Sequence, residues 1–578
     1  MNEWNLDKLY LSFKDEKFIN DFKNLEIIQK QISQYRNSKD IQALENYIKD
    51  SIKMNELIEK LSCYISLTLS VDTTNELALK FSDQLDNLLA GFVEEDVLNK
   101  QWIASFDLNN IDSQVIKDHL YILTEIQNQQ KHTLDKNSES IIAHMQNTGS
   151  SAFAKLKDQV VSSIEVEIDN KKYPLTEVLN MAYDKDKNVR KKAYLAEIAA
   201  YQDYEQTIAA CLNGIKGEVL YTTKLRGYKD ELQRTLINSR MSKETLDVLL
   251  ATMKENLNVF RDYLKIKAQH LGYQNGLPWY ELYAPVVNDD SQYPYLQGCQ
   301  FVVEQFNTFS KHLGDFALKA INENWIDVYP HSGKVGGAFC CNLQSINESR
   351  FLLNYGNNFS DVITMAHELG HGFHGECLKN ETILNSEYPM PIAETASTFC
   401  ETIVTKAALK NADNKTKLAL LEDELSGATQ VIVDIYSRYL FEANFFEKRK
   451  TGALSVLKIK ELMLQAQKEA YGDGLDPNYL HPYMWTWKPH YYDAGYSFYN
   501  FPYAFGLLLA KGLYSIYLNN KSDFATTYEK LLSLTGKMDL EDVCLNVGID
   551  LKNQNFWQAS IDTFKEDIEL YRQLLLEV

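Results

Sequence analysis

The sequence predicts a mostly α-helical protein with a small β-sheet in the middle of the chain. Apolar residues recur at helical spacing over most of its length, as Leu77, Phe81 and Leu85 illustrate. Only 11 of the 578 residues are Pro and 25 are Gly, so few residues interrupt long helices. Alternation with a period of two is confined to short stretches within 160–175 and 325–355.

The N-terminal part of the sequence predicts helices followed by a hairpin. Residues 1–150 are amphipathic at helical spacing, which predicts a helical region. Apolar residues then alternate over 164–168, before the turn residues Asp169 and Asn170, and this pattern predicts a short hairpin. Helical spacing returns from about residue 186.

The rest of the chain combines the small sheet with further helices. Two strand-like runs, Gly337–Leu343 and Arg350–Tyr355, predict the sheet. Helices are expected from there to the C terminus, interrupted at 472–503 by an aromatic loop. We therefore divide the chain into an N-terminal helical region with the hairpin, 1–185, and a larger region, 186–578.

Composition and charge argue against several classes of function. The 59 Lys and Arg against 79 Asp and Glu give a net charge of −20, which is unfavourable for binding nucleic acid or an anionic membrane. The sequence starts with no basic or apolar leader, and its longest dense apolar stretch, 501–510, is about half of the roughly 20 residues that a membrane span needs. The 8 Cys are scattered without a CxxC pair, as in a reducing compartment. We expect a cytoplasmic protein.

The strongest chemical signal is an HExxH motif formed by His367, Glu368 and His371. Residues four apart lie on one face of a helix, so both imidazoles can bind one metal ion, and Glu368 can reach a water held by that ion. The surrounding residues favour a helix, with Ser360 as its expected N-cap. Gly370 lowers helix propensity but lets another backbone come close, which a crowded active-site helix could need.

A catalytic zinc site needs a third protein ligand, with its fourth position left to water. Glu394 lies 23 residues after His371, a gap that permits a loop and a second helix alongside the first. Glu401 is two turns further along the same face, where it can hydrogen-bond a ligand imidazole. His374 lacks the longer metzincin spacing and is expected to be a neighbour of the site. An ordinary surface carboxylate is the alternative for Glu394.

These motifs resemble those of the thimet oligopeptidase and oligoendopeptidase F family of zinc peptidases. The resemblance rests on five segments: His367–His374, Glu394–Glu401, His490–Gly506, Tyr280–Pro285 and Gly333–Phe339. The tract His490–Gly506 is similar to the substrate-binding loop of that family. The likeness runs from about residue 160 to the end, and the length fits the oligoendopeptidase F branch. Val335 departs from the family pattern, where a basic residue is more usual.

The resemblance implies a large, roughly ellipsoidal helical body with a deep central channel and a small sheet beside the zinc-binding helix. One Zn²⁺ per chain would lie on the channel floor, held by His367, His371 and Glu394. Residues 1–185 would roof the channel, and 186–578 would form the catalytic zinc metallopeptidase domain. Such a channel admits short peptides and excludes folded proteins.

Catalysis in this interpretation is attack by a water held by the metal. Glu368 is the general base, which passes the water proton to the leaving amine. The tetrahedral oxyanion needs donors that keep their proton at pH 7, and tyrosine, with a pKa of about 10, is suitable. Carried over from the family motif, His490 and Tyr496 are the expected donors, and Tyr503 is the next. Tyr499 is a competing assignment, and an aromatic core patch is the alternative for the tract.

The predicted function is therefore that of a zinc-dependent endopeptidase acting on internal bonds of short oligopeptides. An extended substrate could pair with the strand that follows Gly336 and Gly337, although an interior hairpin strand is equally compatible with these residues. A carboxypeptidase or dipeptidase of similar chemistry is one alternative. A non-catalytic helical peptide-binding protein with a structural zinc is another, but such a site has no need of Glu368. The sequence leaves the oligomeric state open.

Overall fold

The computed structural model describes residues 2–109, 111–287 and 291–577. The described chain is mostly α-helical, as predicted, with its few strands in two small sheets. It forms two compact units, each built from three stretches: Met1–His132, Asp290–Ala407 and Ile516–Ile549 in the first, and Thr133–Asp289, Ala408–Ser515 and Asp550–Val578 in the second. The two regions predicted from the sequence, 1–185 and 186–578, are each continuous in sequence. Their separate functional roles remain a prediction.

The first unit begins with helices from the N-terminal stretch. They are α1 (Glu16–Tyr35), α2 (Ile41–Val71), α3 (Glu76–Ala90), α4 (Val93–Ala104), α5 (Gln114–Asp118) and α6 (Leu120–Gln130). Asp15, Asp40 and Asn75 start three of them, because their side chains accept N–H groups of the first turn. Apolar residues that recur at helical spacing pack into a common core, which includes Leu25 of α1 and Leu61 of α2.

The second unit begins with a hairpin flanked by helices. Its elements are α7 (Lys136–Thr148), α8 (Ser150–Ser162), β1 (Glu165–Ile168), β2 (Lys171–Pro174), α9 (Leu175–Asn180), α10 (Lys187–Tyr201), α11 (Glu205–Leu225), α12 (Glu231–Asn238), α13 (Lys243–Glu255) and α14 (Leu257–His270). Strands β1 and β2 pair antiparallel, with Val166 opposite Tyr173. Asp169 and Asn170 have φ values of 50° and 62°, as a tight two-residue turn requires. The predicted hairpin is confirmed.

The next stretch of the first unit contains the small sheet and the HExxH helix. Its elements are α15 (Tyr295–Phe309), α16 (Lys311–Asn322), β3 (Ile326–Asp327), β4 (Phe339–Leu343), β5 (Glu348–Leu352), α17 (Phe359–Leu378) and α18 (Met390–Asn411). The strand order is β3-β5-β4, with β5 parallel to β3 and antiparallel to β4. Asn342 of β4 donates from Nδ2 to the carbonyl oxygen of His371 in α17 at 3.2 Å. The sheet therefore lies against the HExxH helix, as predicted.

The remaining elements are helices. They are α19 (Asn414–Thr429), α20 (Ile435–Arg449), α21 (Val456–Tyr471), α22 (Met484–Trp487), α23 (Phe501–Asn519), α24 (Phe524–Leu534), α25 (Leu540–Leu545) and α26 (Gln554–Glu577). Helix α23 is long and apolar enough to cross a membrane by length and composition, with a mean hydropathy of 1.2. However, 67% of that stretch is buried inside the protein, which is typical of a core helix.

Candidate active site

The HExxH helix α17 begins with a capping box. Asn358 is extended, with φ −111° and ψ 170°, and its side chain accepts the backbone N–H of Asp361 at 3.1 Å. The side chain of Asp361 accepts the backbone N–H of Asn358 at 3.0 Å in return. The prediction of Ser360 as the N-cap is therefore wrong. Ser360 lies in the first turn and donates its hydroxyl to Asn358 at 2.7 Å.

Gly370 allows helix α18 to lie directly against α17. A Cβ at this position would lie 2.6 Å from the carbonyl oxygen of Ala396 and 2.7 Å from the Cα of Ser397, both in α18. Only glycine leaves room for this contact. The close backbone approach predicted from Gly370 is confirmed, and it places Glu394 and Glu401 of α18 beside the histidines of α17.

His367, His371 and Glu394 come together where these two helices meet. The Nε2 atoms of the two histidines are 3.1 Å apart. Glu394 Oε2 lies 3.4 Å from the Nε2 of His367 and 3.5 Å from that of His371. All the ligand atoms lie within 4.8 Å of one another. Two imidazole nitrogens and one carboxylate oxygen form a donor set typical of catalytic zinc sites.

Two further residues of α18 orient this cluster. Glu401 Oε1 accepts a hydrogen bond from His367 Nδ1 at 2.5 Å, which leaves the Nε2 of His367 facing Glu394. Ser397 donates its hydroxyl to Glu394 Oε2 at 2.9 Å. The contact of Glu401 is the one expected from its position two turns after Glu394. The sequence interpretation gave Ser397 no role, although its i, i+3 spacing from Glu394 on a helix could have revealed the contact.

The carboxylates determine the charge that the cluster prefers. Burial lowers the pKa of His367, but the hydrogen bond to Glu401 and its negative charge outweigh burial and raise that pKa to about 9. Burial raises the pKa of Glu394, but the hydrogen bond from His371 and the charges of both histidines lower it to about 2. Glu368 is only 6% exposed, and burial raises its pKa. The carboxylates therefore stabilise positive charge on this cluster.

His374 makes a different set of contacts, in the core of the first unit. Its ring stacks on that of Tyr388 with centroids 3.9 Å apart, and its Nε2 lies 2.8 Å from the hydroxyl of Thr535. The ring is fully buried, and burial lowers its pKa to about 3. These contacts are those of a packed core histidine, one turn beyond His371.

His490, Tyr496, Tyr499 and Tyr503 form one cluster of rings in the second unit. Tyr499 lies at its centre, with ring centroids 4.7 Å from His490, 5.1 Å from Tyr496 and 5.9 Å from Tyr503. The hydroxyl of Tyr496 lies 3.1 Å from that of Ser239, and burial raises the pKa of Tyr496. The Nδ1 of His490 is buried without a hydrogen-bond partner among the described residues, and burial lowers the pKa of His490 to about 4.

Residues distant in sequence hold this tract in place. Phe498 has a φ of 53°, which is unusual for a bulky residue, and its N–H donates to Glu442 Oε2 at 3.1 Å. Glu442 is fully buried and paired with Lys216 at 2.6 Å. Thr235 of α12 donates its hydroxyl to the carbonyl oxygen of Ser497 at 2.7 Å. Sequence reasoning missed Lys216, Thr235 and Glu442, because no local pattern distinguishes them.

Comparison with models of known protein families gives a match over most of the chain. The model of peptidase family M3 matches residues 180–563, well over half of the chain. The chain belongs to peptidase family M3. A model described as Oligopeptidase F matches residues 110–165, so the likeness begins before residue 160, where the motifs alone place its start. The family resemblance drawn from the five sequence segments is confirmed, and hydrolysis of peptide bonds is the chemistry of the family.

Relatives and solved structures match this family M3 chain over nearly its whole length. The oligopeptidase PepF of Bacillus subtilis is 23% identical over 593 residues, which cover 100% of this chain and 87% of the relative. The oligoendopeptidase F homolog of Borreliella burgdorferi is 24% identical over 602 residues, covering 99% and 98%. A solved structure from Chlamydophila abortus, 21% identical, has a TM-score of 0.87 over 99% of this chain and 98% of that chain. Oligoendopeptidase-F from Enterococcus faecium, 17% identical, has a TM-score of 0.69 over 97% and 99%. These structures share its mostly helical fold.

Proposed function

We propose that this family M3 peptidase is a zinc-dependent endopeptidase that hydrolyses internal bonds of short oligopeptides. The observation that supports it most directly is the cluster of His367, His371 and Glu394, with Glu368 next to the first histidine in the sequence. Two imidazoles, a carboxylate and a second, buried carboxylate are the groups that metal-assisted hydrolysis of a peptide bond requires.

The residues of the cluster fit a zinc ion. Their ligand atoms lie within 4.8 Å of one another, and the hydrogen bond of His367 Nδ1 to Glu401 leaves the Nε2 available as a ligand. Three protein ligands leave a fourth position for water or substrate, unlike a closed structural site. When bound, a zinc ion would polarise the scissile carbonyl and lower the pKa of water.

Glu368 is the proposed general base. It is adjacent to His367 in the sequence and is 6% exposed, so its carboxylate is largely shielded from bulk water. In this role it accepts a proton from the attacking water and passes it to the leaving amine. A protein that only held a peptide would have no use for this carboxylate, which favours an enzyme over a binding protein.

His490 and Tyr496 are the proposed donors to the oxyanion, with Tyr503 next. The assignment rests on the similarity of the tract to the substrate-binding loop of the family. Because burial raises the pKa of Tyr496, its hydroxyl keeps its proton at neutral pH and can donate. Tyr499 packs against the rings of the other three residues, which supports a packing role for it.

Strand β4 is the proposed pairing edge for an extended peptide. In the order β3-β5-β4 this strand ends the sheet, which favours an edge strand over an interior one. Gly336 and Gly337 precede it, and a Cβ at either position would meet no heavy atom within 4 Å. Pairing through the main chain would accept many peptide sequences.

Size selection is a further part of the proposal. Residues 1–185 would restrict access to the catalytic region, 186–578, so that short peptides are cut and folded proteins are spared. We place this activity in the cytoplasm, with no role for nucleic acid or a membrane, in keeping with the net charge of −20.

Digestion of a peptide mixture tests the proposal. The zinc-loaded full chain would be incubated with peptides of graded length, and the products would be identified by mass spectrometry. We expect internal cuts, an upper limit on peptide length, loss of activity with a chelator and recovery with zinc. Release of single residues or dipeptides only from the C terminus would show a carboxypeptidase or dipeptidase instead. Absence of any cleavage by the zinc-loaded chain would refute the function.

A further inference from the structure

A cavity in the second unit lies beside the aromatic tract. Its volume is about 620 Å³, within the range of roughly 300–1,000 Å³ that is typical of ligand sites. Residues of α7, α8 and α12 and of the tract line it, among them Gln146, Ser150, Arg234 and His490. The cavity is large enough for the end of a peptide.

Two arginines line this cavity, and only one of them is paired with a carboxylate. Arg226 donates two hydrogen bonds to Glu139, at 2.5 and 2.7 Å. Arg234 donates from Nη1 to the carbonyl oxygen of Ala494 at 3.2 Å, and no ion pair joins it to a carboxylate of any described residue. Because a guanidinium has five N–H donors, Arg234 has donors left for a ligand.

The carboxylates that line the cavity are engaged elsewhere. Asp158 lies 3.1 Å from the amino group of Lys157. The Oδ1 of Asp493 accepts the backbone N–H of Gly495 at 2.6 Å and that of Tyr496 at 3.2 Å. No carboxylate of a described residue forms an ion pair with Arg234, and Asp493 acts on its guanidinium only through its charge.

The environment of Arg234 is unfavourable for an isolated positive charge. Burial lowers the pKa of this guanidinium, and the positive charge of Arg226 lowers it too, while Tyr228 and Asp493 raise it. A partly desolvated cation gains more from an incoming anion than one in water, because less hydration is lost on pairing.

We propose that Arg234 binds the free carboxylate at the C terminus of a peptide. This inference rests on the proposed peptidase function and deepens it by naming a group that the substrate carries. A guanidinium matches a carboxylate with two parallel hydrogen bonds. His490 and Tyr499, whose ring centroids stack 4.7 Å apart, line the same cavity and offer ring surface to the residues next to that carboxylate.

Binding of matched peptides tests this assignment. The zinc-loaded full chain carrying Glu368→Gln would be titrated calorimetrically with a peptide acid and with its C-terminal amide. One charge-assisted hydrogen-bonded pair corresponds to a difference in affinity of about 10- to 150-fold, so we expect the acid to bind that much more tightly. In Arg234→Met the acid and the amide should bind about equally, and Arg234→Lys should restore part of the preference.

Arg572→Met is the matched control. Arg572 lies in α26 of the same unit, and its side chain is 49% exposed. Among the described residues its ion pair is with Glu569 on its own helix, at 3.4 Å. This variant should keep the full preference for the acid. The quantity compared is the ratio of the affinities for the acid and for the amide. A displaced loop in Arg234→Met would weaken the binding of both peptides alike.

Several outcomes would overturn the inference. Equal binding of acid and amide by the chain with Arg234 intact would do so, and so would an unchanged preference in Arg234→Met. If a C-terminal amide with a glutamate side chain bound as tightly as the acid, the cavity would recognise acidic side chains instead. If inorganic phosphate competed with the peptides and the acid bound no more tightly than the amide, the cavity would be assigned to phosphate. Failure to cleave any peptide would refute the proposed function alone, because the acid preference is measured by binding.

Discussion

Replacing Gly370 with alanine should force apart the two helices that form the proposed metal site. The new Cβ would lie 2.6 Å from the carbonyl oxygen of Ala396 and 2.7 Å from the Cα of Ser397, whereas ordinary Cβ contacts begin at 3.4 Å. The shortfall is about 0.8 Å, and it is against backbone, which cannot rotate away as a side chain can. Zinc–ligand distances tolerate only about 0.2 Å, so the shift of α18 would take Glu394 out of range of a shared ion.

The size of the effect follows from the same contact. Overpacking of this kind costs about 1–3 kcal/mol of folding stability, and a displaced ligand should weaken zinc binding at least about tenfold. Zinc affinity would be measured by competition with a chromophoric chelator, and the free energy of unfolding by urea titration of the zinc-loaded chain.

A second glycine provides the matched control for this experiment. Gly427 is exposed in the interior of helix α19, and a Cβ there would meet no heavy atom within 4 Å. Gly427→Ala should therefore stabilise the protein by about 0.4–1 kcal/mol and leave zinc affinity unchanged. Normal zinc affinity in Gly370→Ala would refute the claim that the contact between α17 and α18 sets the geometry of the site.

Four further predictions test individual roles. Glu368→Gln should retain zinc, by metal analysis, and lower kcat by about 10²- to 10⁴-fold; near-normal turnover would exclude it as the base. His371→Ala should lose zinc whereas His374→Ala should keep most of it, and equal loss in both would contradict the ligand set. Glu401→Gln should weaken zinc binding by about 10- to 100-fold in the chelator assay, because His367 loses its charged acceptor; an unchanged affinity would exclude this role. Tyr496→Phe should lower kcat by about 10²- to 10³-fold with KM nearly intact, and an effect on KM alone would make it a substrate contact.

The cluster of His367, His371 and Glu394 was predictable because it is built from local patterns. His367 and His371 share a helix face by their spacing alone, and Glu394 follows on the next long helix, so few arrangements of the chain were possible. The start of α17 was predicted wrongly because Ser360 and Asn358 are both good caps. The Asn-x-x-Asp spacing from Asn358 to Asp361 decides between them, and this signal was present in the sequence.

The residues that hold the aromatic tract in place could not be predicted from local patterns, because their contacts join residues far apart in the chain. A bulky residue with positive φ, such as Phe498, costs of order 1–3 kcal/mol, and the surrounding structure must hold it there. Glu442 accepts its N–H, and Glu442 is itself a buried charge that is paired with Lys216. Arg234 likewise contacts the tract through the carbonyl oxygen of Ala494. Helices α11, α12 and α20 thus determine the shape of a segment whose motif contains none of their residues. For this reason the HExxH motif predicts the type of reaction, whereas peptide selectivity has to be sought in residues that carry no motif.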